Sequence, residues 1–193
     1  MISEVFLIIL FSYILGSIPS GVILAKFFAL DDIRKIGSGN TGTTNVLRTG
    51  NYSAAALTLI LDFSKACLAI YLTQIFNEQL IILSSLFILI GHIFPIWLSF
   101  KGGKGVATFV GILISINIYY AVVFGIVWIL TFLISKYSSL SSLFASISIP
   151  IYLIIVNQGN IIFFIIMFVL IFYTHRENIK RLINKEETKS KIY

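Results

Sequence analysis

The sequence predicts an all-α integral membrane protein of about seven transmembrane helices, with the N-terminus outside and the C-terminus cytoplasmic. Three observations carry that expectation. The 193 residues are 58% hydrophobic and 11% charged, with a mean hydropathy of +1.00, whereas a soluble domain uses roughly 25% charged residues. Apolar runs recur along the whole chain at lengths near the roughly 17 to 25 residues that a helix needs to cross the bilayer core. Basic residues also fall unequally on alternate connections, the asymmetry that orients a polytopic protein.

The first span is expected from about Ile2 to Lys26, the second from Tyr52 to Ile75 and the third from Leu80 to Phe100. The chain begins Met-Ile-Ser-Glu without a basic segment, and its first apolar run leads into Gly16-Ser-Ile-Pro-Ser-Gly21 instead of a cleavage signal, so it reads as a span and not as a removed leader. Val106 to Lys136 is too long for one span and short for two, and two short helices turning near Asn117 fit it. Ser138 to Val156 and Ile161 to Tyr173 flank an Asn157-Gln158-Gly159-Asn160 turn. Five spans is the alternative, should the short segments be re-entrant. Residues 1–193 then form one polytopic domain, and 185–193 a short solvated tail with no site in it.

With seven crossings, thirteen of the fourteen Lys and Arg residues fall on one side, the exception being Lys65 inside the second helix. The positive-inside rule makes that side cytoplasmic. A net charge of +6 could suit nucleic acid, but these cations sit beside membrane segments, so anionic headgroups and metabolites are the nearer partners and no nucleic acid is expected. Cys67 alone excludes a disulfide framework and a cysteine metal site. Two distant histidines and no carboxylate cluster give no metal site, and no cofactor is expected.

Polar residues concentrate on the side read as cytoplasmic. Gly37 to Arg48 places Gly37, Ser38, Gly39, Asn40, Gly42, Thr43, Thr44 and Asn45 ahead of an arginine. Glycines let a backbone approach a ligand, successive N–H groups form anion-binding nests, and a guanidinium fork suits phosphate. A flexible connecting loop is the plainer reading. Lys101, Gly102, Gly103, Lys104 and Gly105 precede a helix that contains Thr108. That arrangement fits a phosphate cradle at a helix N-terminus, or a short positive-inside loop, and it is not a Walker A loop. Asp62 and Lys65 share one helix face at i, i+3 and read as a structural pair orienting neighbouring loops. His92, beside Pro95, reads as a structural histidine. His175, followed by Arg176 and Asn178 where the last span ends, is the better candidate for chemistry. Among Ser138, Ser139, Ser141 and Ser142, most read as helix caps, and one facing a pocket could donate to a phosphate.

Taken together, Gly-Ser-Ile-Pro-Ser-Gly, then Gly-Ser-Gly-Asn-x-Gly-x-Thr-Asn-x-x-Arg, Asp-x-x-Lys, Gly-His-x-Phe-Pro followed by Phe-Lys-Gly-Gly-Lys-Gly-Val-Ala-Thr, and His-Arg-Glu-Asn-Ile-x-Arg, in this order, resemble the bacterial acyl-phosphate-dependent glycerol-3-phosphate acyltransferases, the PlsY family. The likeness covers essentially the whole chain. Thr43 stands where the family usually has alanine, and the last tail residues follow no pattern. The resemblance implies a seven-helix enzyme of the bacterial cytoplasmic membrane, with its active site on the cytoplasmic side. It would move an acyl group from acyl phosphate to the 1-hydroxyl of sn-glycerol 3-phosphate, giving lysophosphatidic acid and phosphate. It also implies that Ser38, Arg48, Lys104, His175 and Asn178 contact the phosphates and the reacting hydroxyl. The Lys101 to Gly105 loop would hold glycerol 3-phosphate, with Ser139 or Ser142 a further member. Glu177 is as well read as structural, which leaves His175 or a substrate phosphate to take the proton. A histidine followed five positions later by aspartate marks thioester-using acyltransferases, and here those positions are Trp97 and Lys180. A transporter for an anionic metabolite is the competing class, but its outer connections would lack a second gate. A non-catalytic headgroup-binding protein would leave the hydroxyl and amide density of Gly37 to Asn45 unexplained.

Overall fold

The computed structural model describes residues 2–157 and 159–189; Gln158 of the expected turn and tail residues 190–193 lie outside them. Among the described residues all regular structure is helical, and the chain forms two compact units, Met1–Ser115 and Ile116–Tyr193.

The first unit contains α1 (Ile2–Gly16), α2 (Ser20–Phe27), α3 (Thr43–Leu47), α4 (Tyr52–Asn77), α5 (Ile81–Ile93) and nearly all of α6 (Val106–Ile116). Pro19 has no N–H to continue a ladder, so the chain unwinds over Ser17 to Pro19 and restarts with Pro19 as the N-cap of α2. The break expected in the first span is therefore present. Helix α1 lies on α5 at backbone contact: a Cβ on Gly16 would stand 2.3 Å from the Ile88 carbonyl oxygen, and one on Gly91 2.3 Å from that of Tyr13. Where lipid removes the hydrophobic drive between helices, such small-residue contacts and buried hydrogen bonds hold them together. The Ser12 and Ser84 hydroxyls, 2.8 Å apart, form one such bond, and the Tyr13 hydroxyl adds a part-buried one to the Phe94 carbonyl at 2.8 Å.

Helix α4 opens on Asn51, whose Oδ1 accepts from Ala54 N at 2.8 Å, a side-chain cap. It meets α5 through a 3-10 turn at Glu78–Leu80, and the two helices pack on each other. Gly111 sets α6 against α4, since a Cβ there would stand 2.5 Å from the Phe63 carbonyl oxygen. The third expected span needs correction: α5 stops at Ile93, not Phe100. Phe94 to Lys101 leave the helix because Pro95 cannot donate, and because the His92 and Ile93 carbonyls are taken by the returning chain.

The second unit contains α7 (Ile118–Ser135), α8 (Ser138–Ile155), α9 (Ile161–Thr174) and α10 (Arg176–Ile183), with α8 packed on both α7 and α9. Asn117, extended at φ −162°, caps α7 by accepting from Tyr119 N at 2.9 Å, so the run from Val106 breaks at the expected residue. Helices α9 and α10 bend by 61° at His175. Large apolar side chains point outward from both units, with Phe76 79%, Ile134 86% and Ile162 76% exposed. That is the reverse of a soluble surface. Among the described residues, four helical stretches can by length and composition cross a membrane, Ile2–Phe27, Tyr52–Leu98, Ile118–Ser135 and Ser138–Ile155, and α9 with α10 makes a fifth if taken as one.

Candidate active site

The Gly37 to Arg48 segment is organised by one buried side chain. Asn45, on α3, is 2% exposed. Its Nδ2 donates to the Ile33 carbonyl at 2.6 Å, and its Oδ1 accepts from the Ser38 N–H at 3.0 Å, from Ser38 Oγ at 3.3 Å and from Arg48 at 3.4 Å. Short-range amide bonds of this kind give the backbone a turn in place of a helix or ladder. The segment is thus not a flexible connection. Gly37 adopts φ +56°, and a Cβ there would strike Asn45 Oδ1 and the Arg48 side chain, so the arginine lies against the glycine backbone. Asn40 Oδ1 accepts from Gly42 N at 2.9 Å, closing the next turn, while Gly39 and Thr44 are exposed. Arg48 borders a cleft of about 400 Å³ lined also by Ala29, Leu30, Asp31, Ile36 and Thr49, a volume in the range of small-molecule sites. The Thr43 hydroxyl is buried and, like that of Thr108 on α6, has no hydrogen-bond partner among the described residues.

The Lys101 to Gly105 loop is fastened to the end of α5. Gly102 N donates to the Ile93 carbonyl at 3.0 Å and Gly103 N to that of His92 at 3.1 Å. The glycines at 102 and 103 are needed for packing: a Cβ on Gly102 would meet the His92 carbonyl oxygen at 2.2 Å, and one on Gly103 would meet His92 Nε2 at 2.0 Å. Gly105, at φ +84°, turns the chain into α6 in a conformation glycine adopts without cost. Lys101 is exposed and Lys104 half-buried on this loop, just before a helix N-terminus, where anions are favoured.

In the second unit, His175 is 2% exposed at the bend between α9 and α10. Its Nδ1 lies 2.8 Å from the Ile171 carbonyl oxygen. A carbonyl only accepts, so Nδ1 carries the proton of that bond and Nε2 is the basic nitrogen of the neutral ring. Asn178, 4% exposed, donates through Nδ2 to Glu187 Oε1 at 2.6 Å. The same carboxylate accepts from Ser139 Oγ at 2.7 Å and, through Oε2, from Arg181 Nε at 2.7 Å. The expectation of a solvated tail fails at this residue. Lys185, at φ +60°, turns the chain back, and the Glu187 side chain is only 6% exposed. Burial alone pushes this carboxyl upward, but the Arg181, Asn178 and Ser139 donors outweigh it and hold it below the usual glutamate range.

The serines of α8 are not caps. Ser141 and Ser142 donate to the carbonyls of Tyr137 and Ser138 four residues back, at 2.8 and 2.9 Å. Ser142 also receives the Trp128 indole N–H at 3.2 Å, so it works inside the α7–α8 contact. The residue missed from sequence is Glu187. Nothing in a Lys-Glu-Glu tail distinguishes it from its exposed neighbour Glu186, and only the chain reversal brings it to Asn178.

Known proteins match this chain along nearly its whole length. Residues 6–185 match the family model described as glycerol-3-phosphate acyltransferase. A glycerol-3-phosphate acyltransferase of Pelagibacter ubique (strain HTCC1062) is 61% identical over 190 residues, which cover 98% of this chain and 100% of that protein. One from Brucella suis is 50% identical over 182 residues, covering 94% and 90%. The fold superposes on the crystal structure of PlsY, an integral membrane glycerol 3-phosphate acyltransferase, in its glycerol 3-phosphate form. That match has a TM-score of 0.90 and 33% identity, over 97% of this chain and 96% of that one. PlsY in its lysophosphatidic acid form gives 0.88 at 33% identity, over 97% and 95%. On sequence and fold alike, the chain belongs to the PlsY family of glycerol-3-phosphate acyltransferases, multi-pass proteins of the membrane.

Proposed function

We propose that this acyltransferase draws its acyl group from an acyl phosphate and passes it to the 1-hydroxyl of sn-glycerol 3-phosphate, releasing lysophosphatidic acid and inorganic phosphate. The observation that carries the reading is the setting of His175. Its Nδ1 is held by a main-chain carbonyl, and Lys180 stands five positions on, where a thioester-using enzyme would place its aspartate. A histidine with no aspartate five positions on suits a donor that is already activated. The glycerol oxygen attacks the acyl carbonyl carbon, its proton passes to His175 Nε2 or to a substrate phosphate, and the acyl carbon–oxygen bond to phosphate breaks as phosphate leaves. Because both substrates are anions, positioning and charge neutralisation carry most of the catalysis. To that we assign Ser38, Arg48, Lys104 and Asn178, together with the Lys101 to Gly105 loop as the glycerol 3-phosphate cradle and Ser139 as a further contact. The distribution of basic residues supports seven crossings in a bacterial cytoplasmic membrane, with the N-terminus outside and these groups facing the cytoplasm.

Phosphate release by the purified protein, given palmitoyl phosphate with and without glycerol 3-phosphate and beside Lys104→Ala, tests the reading. Release that requires glycerol 3-phosphate and is lost in the variant is the expected result. Turnover with palmitoyl-CoA and none with palmitoyl phosphate would overturn the donor assignment, and an isolable acyl-enzyme would overturn direct attack.

A further inference from the structure

We propose that Asp62 is a positioning residue for the Lys101 to Gly105 loop, acting through His92 at the end of α5. The inference rests on the reading of that loop as the glycerol 3-phosphate cradle. Asp62 and Lys65 are almost wholly buried, at 3% and 6% side-chain exposure, with Nζ 2.8 Å from Asp62 Oδ1. A buried ion pair seldom stabilises more than the apolar pair that could replace it, so what distinguishes this pair is where it points. From α4, Lys65 Nζ also donates to the Ile18 carbonyl at 3.0 Å, at the break between α1 and α2. Asp62 Oδ1 lies 3.6 Å from His92 Nδ1, and the other ring nitrogen, Nε2, is the atom a Gly103 side chain would strike. The imidazole is therefore held between a carboxylate and the loop backbone, while the His92 carbonyl receives the Gly103 N–H.

The same groups enclose a cavity of about 10 Å³, bordered by Ser17 to Gly21, Thr41, Asp62, His92 and Pro95. Thr41 belongs to the Gly37 to Arg48 segment, and a Cβ on Gly21 would stand 2.0 Å from its carbonyl oxygen. Both polar loops of the first unit are thus referenced to one buried carboxylate. A ring that loses Asp62 can swing, and Lys104, next to Gly103, moves with it.

Two measurements test this. Asp62→Asn with Lys65→Met leaves no unpaired charge in the membrane. The KM for glycerol 3-phosphate is expected to rise about 10-fold or more, with KM for palmitoyl phosphate within about 2-fold, a split that general destabilisation does not produce. Gly103→Ala is expected to lower kcat/KM for glycerol 3-phosphate by as much as about 100-fold, but by less than about 3-fold when His92→Ala has vacated the contact, a coupling that a double-mutant cycle isolates. Equal losses in both backgrounds, or an unchanged glycerol 3-phosphate KM in the neutral-pair variant, would overturn the proposal while Lys104→Ala still loses glycerol 3-phosphate-dependent release. A Lys104→Ala enzyme that keeps wild-type release with glycerol 3-phosphate would instead overturn the cradle reading, and the proposal with it.

Discussion

Asn45→Ala should release the Gly37 to Arg48 segment. Truncation removes the acceptor of the Ser38 N–H, 3.0 Å away, and the donor to the Ile33 carbonyl, 2.6 Å away, at a site 2% exposed. Each hydrogen bond contributes a net of about 1 kcal/mol, so losing these two weakens the organised segment by about 2 kcal/mol, with the Oδ1 bonds to Ser38 Oγ and Arg48 lost besides. At about 1.4 kcal/mol per factor of ten, the ratio of closed to open segment falls about 30-fold or more. Amide hydrogen exchange reads that ratio directly, because protection of the Ser38 N–H depends on the local opening equilibrium. The expected result is a loss of at least about 30-fold in Ser38 protection, with helix amides deep in α4 unaffected and kcat/KM for glycerol 3-phosphate reduced. Asn45→Asp keeps the acceptor and should retain more of the Ser38 protection than Asn45→Ala. Ser38 exchange within about 3-fold of wild type in Asn45→Ala would refute the view that this one amide organises the loop.

The geometry predicts two further outcomes. Because Glu187 titrates lower in the folded chain than in the unfolded one, the hold of the tail on Ser139, Asn178 and Arg181 is complete above the ordinary glutamate value of about 4.3. It is lost as pH falls through the lower folded value. Limited proteolysis after Lys185 should accordingly accelerate only in that acid window, and Glu187→Gln should cleave at one rate across it; acid-dependent cleavage persisting in the variant would count against the clasp. Gly91→Leu forces a side chain where a Cβ already stands 2.3 Å from the Tyr13 carbonyl oxygen. Such overpacking costs about 1–3 kcal/mol or more and should lower the melting temperature in detergent, whereas an unchanged value would show that α1 and α5 are not locked together at this level.

Much of the helical layout is legible in the sequence because the punctuation is local. Pro19 and Asn117 interrupt helices at the positions where they stand, the first through a missing N–H and the second through a side chain that caps the next helix. The end of α5 falls several residues before the point that hydropathy suggests, because hydropathy does not register that a returning loop has taken the His92 and Ile93 carbonyls. The serines of α8 escape a sequence reading for a similar reason: a hydroxyl at a helix start can cap forward or bond back to a carbonyl, and here packing against α7 decides the second.

By itself the sequence determined that the chain is an apolar, all-helical membrane protein, how unevenly its cations are spread along it, and which glycine, lysine, arginine and histidine motifs it carries. Those properties depend on composition and on neighbours within a turn of one another. Tertiary structure alone decided how the motifs are held: that Asn45 gathers Ser38 and Arg48, that Gly102 and Gly103 yield space to His92, that Asp62 faces that ring from α4, and that Glu187 returns to Asn178. Several of these contacts join residues well separated along the chain, and each needs a buried polar atom to find its partner in the folded chain, which periodicity and charge patterning do not encode.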